Sequence, residues 1–383
     1  VYGTAAANGV VLITTRRGRA GAPQWRAYVE GGRTEDVNDY PLNYIALQAF
    51  DRNQPVYNQG YVNTRQLWGA NAPYSTCPNY LAALPAGTTG ACTQDVRLSF
   101  DQFRAARTTP DETGENTRGG LSVSGGSENL TYYISGDRQT EFGVIRPNDL
   151  ERISLRSNLR ANVGERATVG INASYVTSNL NRISSDNSVF SPLINAFLGP
   201  AQYVEGMETD TLGSPGARPA SYFQYNTRDQ KTVTADQSID RFMLSTTANF
   251  QALSWLTLNG NAGLDFFSRY DRQTQNPNQL PLSASYLLGF RDSYRADNYI
   301  WTANASAASR FHLTSSIAST TTLGLSWYQN LFEQINCYGA GIPAGTRSCG
   351  ATTSLFAVNE SYTDQRTLGI YLSQELAFGD RLF

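Results

Sequence analysis

Polar and apolar side chains alternate one for one over long stretches of this chain. In RISLRSNLRAN, Ile153, Leu155, Leu159 and Ala161 fall on one face, with Arg152, Ser154, Arg156, Asn158, Arg160 and Asn162 on the other. A period of two marks a strand with one dry and one wet face. After a short turn at Gly164 and Glu165, ATVGINASYVT repeats the pattern: Ala167, Val169, Ile171, Ala173 and Tyr175 oppose Thr168, Gly170, Asn172 and Ser174. The two segments predict a hairpin. The same alternation recurs in RFMLSTTANFQ, in WLTLNGNAGLDFF, in NYIWTANASAASRF, in TTTLGLSWYQN and in TLGIYLSQELAF. About ten such segments are predicted, most of them reaching the ~9–11 residues with which a tilted strand crosses a bilayer.

The connections alternate in length. Short turns are expected near 125–129, 164–166, 252–254, 314–316 and 379–380, and longer connections over 34–118, 138–150, 178–235, 271–293 and 333–361. In an antiparallel meander every second connection lies at the same end of the sheet, so the short turns collect at one rim and the long loops at the other. That is the layout of a transmembrane β-barrel with short periplasmic turns and long outer loops. A β-sandwich, in a secreted or surface protein that binds or adheres without transport, also alternates. The barrel is favoured because Arg, Asn, Asp and Gln occupy the polar face in strand after strand and because loop length segregates by parity. Within the 178–235 loop, VFSPLINAFLGP from Val189 predicts a short helix whose apolar residues anchor the loop.

Composition narrows the function classes. There are 22 Tyr against 2 Met, and charged residues make up only 16% of the 383, a bias toward strands and tight turns. No stretch approaches the ~18 uninterrupted apolar residues of a spanning helix, which excludes a helical membrane protein. A formal net charge of −2 argues against a general nucleic-acid binder. A lone histidine, His312, expected at a periplasmic turn, and the lack of a nucleophile-and-base arrangement make an enzyme an improbable reading. No cofactor or metal is called for.

The first residues, VYGTAAANGVVLITTRRG, pose a separate question. Ala5–Ala7 reads as a helical turn closed by Asn8-Gly9, and Val10–Thr14 leaves it as a strand with no polar face. Such a strand needs neighbours on both sides and nothing upstream supplies them, so the sequence is expected to be cut from a longer chain. The stretch resembles the end of the plug domain in SusC/RagA-type TonB-linked outer-membrane transporters, through Tyr2, Gly3, Ala7, Asn8, Gly9, Val10, Val11, Ile13, Thr14, Thr15 and Gly18. The segment from Leu121 to Asn179 is similar to the early barrel hairpins of the same family, with Ser124–Ser127 at a turn and Gly143-Val144-Ile145 in an outer loop, and TLGIYLSQELAFGDRLF is similar to a mid-barrel strand.

The resemblance implies an all-β chain: residues 1–18 the end of a plug, and 19–383 the N-terminal half of an outer-membrane barrel with outer loops at 34–118, 178–235, 271–293 and 333–361. It further implies active uptake of a glycan or an oligopeptide, a SusD-like surface lipoprotein as lid, TonB engaged through a region N-terminal to this sequence, and residence in the bacterial outer membrane.

Candidate residues follow from the pattern. Arg152, Arg156, Asn158, Arg160, Asn249, Asn259, Asn261 and Asp265 are expected to face the barrel interior, either lining a solute path or packing against a plug. Tyr40, Tyr44, Tyr57, Tyr61, Trp68, Tyr74 and Tyr80 crowd the first long loop, where they offer stacking faces for a sugar, a small core of the loop itself, or a surface for a partner lid. Four cysteines admit three pairings. The local one, Cys77 with Cys92 and Cys337 with Cys349, closes each bridge within a single outer loop, at roughly 3 kcal/mol per loop in the chain-entropy model, with free thiols as the alternative. Acidic groups at Asp111, Glu112 and Glu115, and at Glu205, Glu208 and Asp210, lack a recognised calcium-loop spacing and read as solvated loop.

Overall fold

The computed structural model describes residues 16–47, 96–105, 109–183, 191–198, 232–278, 287–314, 317–343, 345–346 and 348–378. The chain is nearly all β. Its strands are β1 (Gly21–Thr34), β2 (Asn43–Leu47), β3 (Val96–Phe100), β4 (Gly114–Gly126), β5 (Leu130–Phe142), β6 (Asp149–Val163), β7 (Ala167–Arg182), β8 (Val233–Leu253), β9 (Leu256–Gln275), β10 (Phe290–Thr314), β11 (Ile317–Ala340) and β12 (Ser354–Phe378). Ten of them form one antiparallel sheet in the order β1-β4-β5-β6-β7-β8-β9-β10-β11-β12, and β2 pairs with β3 as a separate ribbon. Among the described residues no second sheet stacks on the first, so the sandwich alternative does not hold. The sheet is open, ending at β1 and β12.

Register converts the alternation into two faces. Leu155, Tyr175, Phe242, Phe266, Tyr299 and Leu331 are level neighbours on six successive strands, and the rings of Phe266 and Tyr299 lie 4.7 Å apart. Lower on the same face, Leu368, Ile370 and Leu372 are 66%, 73% and 72% exposed. A water-soluble sheet would cover such a face, because burying apolar area is what stabilises it. Here the fully buried apolar side chains of the described residues are few, and the two with no exposure, Phe103 and Ala196, belong to an outer-loop cluster. Apolar groups turned outward from a polar interior suit a wall in lipid. No helix of the described residues is long and apolar enough to cross a membrane.

The strands are staggered. From the end of β6, Val163 pairs with Ala167, and level partners continue through Phe250, Leu258, Ala307 and Leu323 to Leu372 on β12. β12 nevertheless runs on to Phe378, six residues further, after six strand-to-strand steps. One residue per strand, at ~3.3 Å rise and ~4.8 Å spacing, is a strand tilt of about 35°.

The short rim is made of tight turns. Gly164, at φ 62°, reverses the chain between β6 and β7, a conformation that glycine adopts without strain. His312 lies within the last residues of β10. At the other rim the strands run further than the alternation suggests, to Gln275 in β9 and Ala340 in β11.

Two long loops meet in the outer cluster. Helix α1 (Pro192–Phe197) starts with Pro at its first turn and with the Ser191 hydroxyl accepting from the Ile194 N–H at 3.5 Å. Phe103 stacks on Tyr40 at 4.1 Å and packs on Phe197 at 4.8 Å, and the Asn43 amide donates to the Ala196 carbonyl at 2.6 Å. The helix does anchor its loop, on the aromatic residues of the first one. Cys337 and Cys349 are joined by a disulfide with a Cα–Cα distance of 6.1 Å, but Cys337 is a paired residue of β11 and only Cys349 lies in the β11–β12 connection, so the bridge ties strand to loop where both ends were expected in the loop.

Candidate functional site: the polar face of the wall

All eight residues predicted to face the interior share one face of the sheet. Arg156, Asn158 and Arg160 on β6 stand level with Ser174, Asn172 and Gly170 on β7, and Arg152 with Ser178. Through β8 the same face continues to Asn259, Asn261 and Asp265 on β9, Asn249 standing opposite Asn259. Of the plug-end motif, Gly18 is described and lies against this face, whereas Tyr2, Gly3, Asn8, Gly9 and Val10 lie outside the described residues. So do Cys77, Cys92, the acidic group at 205–210 and the aromatic residues from Tyr57 to Tyr80.

Toward the long-loop rim the face is charged and internally paired. Arg118 donates two hydrogen bonds to Asp137 at 2.9 and 2.6 Å. Arg152 donates to Gln139 at 2.6 Å, and Arg241 to both oxygens of Asp265 at 2.9 and 2.5 Å. Asp271 accepts from Gln237 and from Arg269, each at 2.6 Å, with Arg182 at 3.4 Å. Alternation alone did not single out Arg182, Arg241, Arg269 or Asp271, because their pairing depends on cross-strand register.

Toward the short-turn rim the face becomes an amide surface. Asn249 donates to Asn259 at 2.5 Å, Asn304 to Asn261 at 2.7 Å and Asn172 to Ser245 at 3.2 Å. These side chains satisfy one another without a charge. Asn172, Asn249, Asn259 and Asn261 line a cleft of about 390 Å³, together with Arg17, Gly18, Asn158, Arg160 and Thr247. The Asn158 amide donates to the Arg16 carbonyl at 2.6 Å. Asn172 and Thr247 were visible in the alternation; Arg17 was not.

The outer cluster carries its own electrostatics. The Tyr40 hydroxyl donates to Asp36 at 2.5 Å and the Asn38 N–H at 2.9 Å, which holds the Asp36 carboxyl below its usual range and raises the Tyr40 phenol. Burial, and then the nearby Asp36 carboxylate, push Asp111 up against the opposing pull of Arg104 at 3.8 Å. Glu112 is paired with Arg146 at 3.3 Å.

No family model matches the chain. Curated relatives do. TonB-dependent receptor P3 of Formosa agariphila is 28% identical over 176 residues, 45% of this chain and 13% of that protein. TonB-dependent receptor SusC of Bacteroides thetaiotaomicron is 25% identical over 185 residues, 46% of this chain and 14% of that protein. The fold superposes on the RagAB peptide importer in its closed-closed state with a TM-score of 0.70 at 19% identity, over 99% of this chain and 43% of the other. In the open-open state the TM-score is 0.68 over 97% of this chain. The chain thus spans less than half of each of these proteins. Taken together, the chain is similar in sequence to TonB-dependent receptors, SusC among them, and in fold to part of the RagAB peptide importer.

Proposed function

We propose that the chain serves TonB-dependent active uptake of a nutrient, a glycan or an oligopeptide, across the bacterial outer membrane, gated by movement of a plug whose end is residues 1–18. The observation that carries this reading is the contact of Arg16–Gly18 with the polar face of a sheet whose other face is apolar. A wall that encloses a polar plug and faces lipid needs that division. The amide surface suits a plug that moves, since neutral groups already bonded to each other bind a passing partner weakly. A SusD-like surface lipoprotein closing over the outer loops, and TonB acting from the plug side, complete the scheme, with likeness to the RagAB importer as support. No covalent step on the cargo is required.

The test is uptake by cells of the source organism with and without the full-length receptor, using fluorescent oligopeptides and oligosaccharides. The expected result is receptor-dependent uptake of one class, abolished by a proton uncoupler. Uptake that survives the uncoupler, or is equal without the receptor, counts against the proposal.

A further inference from the structure

Where the chain joins the wall, two backbones touch. A β-carbon built on Gly18 would lie 2.6 Å from the carbonyl carbon of Tyr132 and closer still to its oxygen. Only glycine fits at that approach, and it approaches backbone, which cannot swing aside. Tyr132 permits the contact because its side chain is on the apolar face: it stands level with Gly125 on β4 and Leu159 on β6, and its hydroxyl sits over Gly125. The polar side of Tyr132 is therefore bare main chain. One residue to the other side of Arg17, the Arg16 carbonyl accepts from Asn158, a side chain projecting from β6. Beyond the junction, Gly21 at φ 139° and a register shift before Gln24 turn the chain into β1, which then pairs with β4 from Gln24 to Thr34.

We infer that Arg16–Gly18 is a fixed junction, pinned by the Gly18–Tyr132 contact and the Asn158 hydrogen bond, so that movement during uptake is confined upstream of Arg16 and does not peel β1 from β4. Gly18 and Asn158 are positioning residues in this scheme. The inference rests on the gated-plug reading above and adds where the moving part ends. Its physical basis is that a load applied to the chain upstream meets the junction before it reaches the first rungs of the β1–β4 ladder.

The full-length receptor in nanodiscs tests it with nitroxides at Arg17→Cys and Thr168→Cys, two positions that line the same cleft. The expected result is dipolar coupling that is the same with and without cargo and the TonB C-terminal domain. A lengthening on their addition overturns the inference. A second pair, Asn8→Cys with Thr168→Cys, reports plug movement separately: if it too is static, the gating reading fails while the junction stands. In cells, Gly18→Ala and Asn158→Ala are expected to lower energised uptake about tenfold with cargo capture by de-energised cells unchanged. Gly31→Ala, where a β-carbon meets only an ordinary contact at 3.9 Å, leaves both unchanged. Wild-type uptake by Gly18→Ala and Asn158→Ala, or capture falling in step with uptake, overturns the assignment.

Discussion

Asp111 and Asp36 sit in one outer cluster with their acidities displaced in opposite directions. The folded cluster holds the Asp111 proton more tightly than the unfolded chain does. The contribution of Asp111 to stability is therefore complete below the unfolded value of 3.8 and is lost as pH rises through the higher folded value. For Asp36, held low chiefly by the Tyr40 hydroxyl, the contribution is complete above 3.8 and is lost as pH falls through the lower folded value. Asp111→Asn should flatten the decline from pH 4 upward in amide-exchange protection of residues 36–43 and 191–198, and Asp36→Asn should reduce that protection at pH 7. Identical pH profiles for wild type and Asp111→Asn would refute the account. Single residues were legible in the sequence where one rule sufficed. Asn158, Arg160 and Asn261 declared their face by parity alone, whereas the Arg241–Asp265 bridge needs the register between β8 and β9. The contact of Tyr40 with Phe103 and Phe197 joins segments far apart along the chain, which no local pattern announces.

Strands were legible where the two faces meet different media. Over Arg152–Tyr175 the two faces differ and, Ser157 on the apolar face aside, the alternation holds along both strands, so β6 and β7 could be read directly. Past Phe267 both faces of β9 carry polar side chains: Ser268, Arg269, Asp271 and Arg272 fall on both faces, and the strand continues to Gln275 without a periodic signal. The difference in medium has a measurable consequence on β11. Leu325 stands on the apolar face, level with Ala305 and Ile370, and Ser326 on the polar face, level with Asn304 and Gly369. Leu325→Arg should cost about 2–4 kcal/mol, the range for a cation near the bilayer midplane, and Ser326→Arg about 1 kcal/mol or less. Urea unfolding of the full-length protein in lipid vesicles compares the two. Equal losses would mean that the faces are misassigned.

At the scale of the molecule, no strand of the described residues pairs with the outer edge of β1 or with that of the 25-residue β12. In hydrocarbon each unpaired peptide group costs several kcal/mol, so an edge of this length is not sustained in a bilayer. The 383 residues by themselves should give no heat-modifiable band on gels after refolding in detergent, whereas the full-length receptor should. A monomeric, heat-modifiable 383-residue species would contradict this. The stagger of one residue per strand bears on how such an edge finds its mate. At that pitch the offset grows with every strand laid down, so the last strand reaches β1 displaced by about as many residues as there are strands. A seam so far out of level is poorly matched while the wall is short, and zipping shut becomes an event of late assembly.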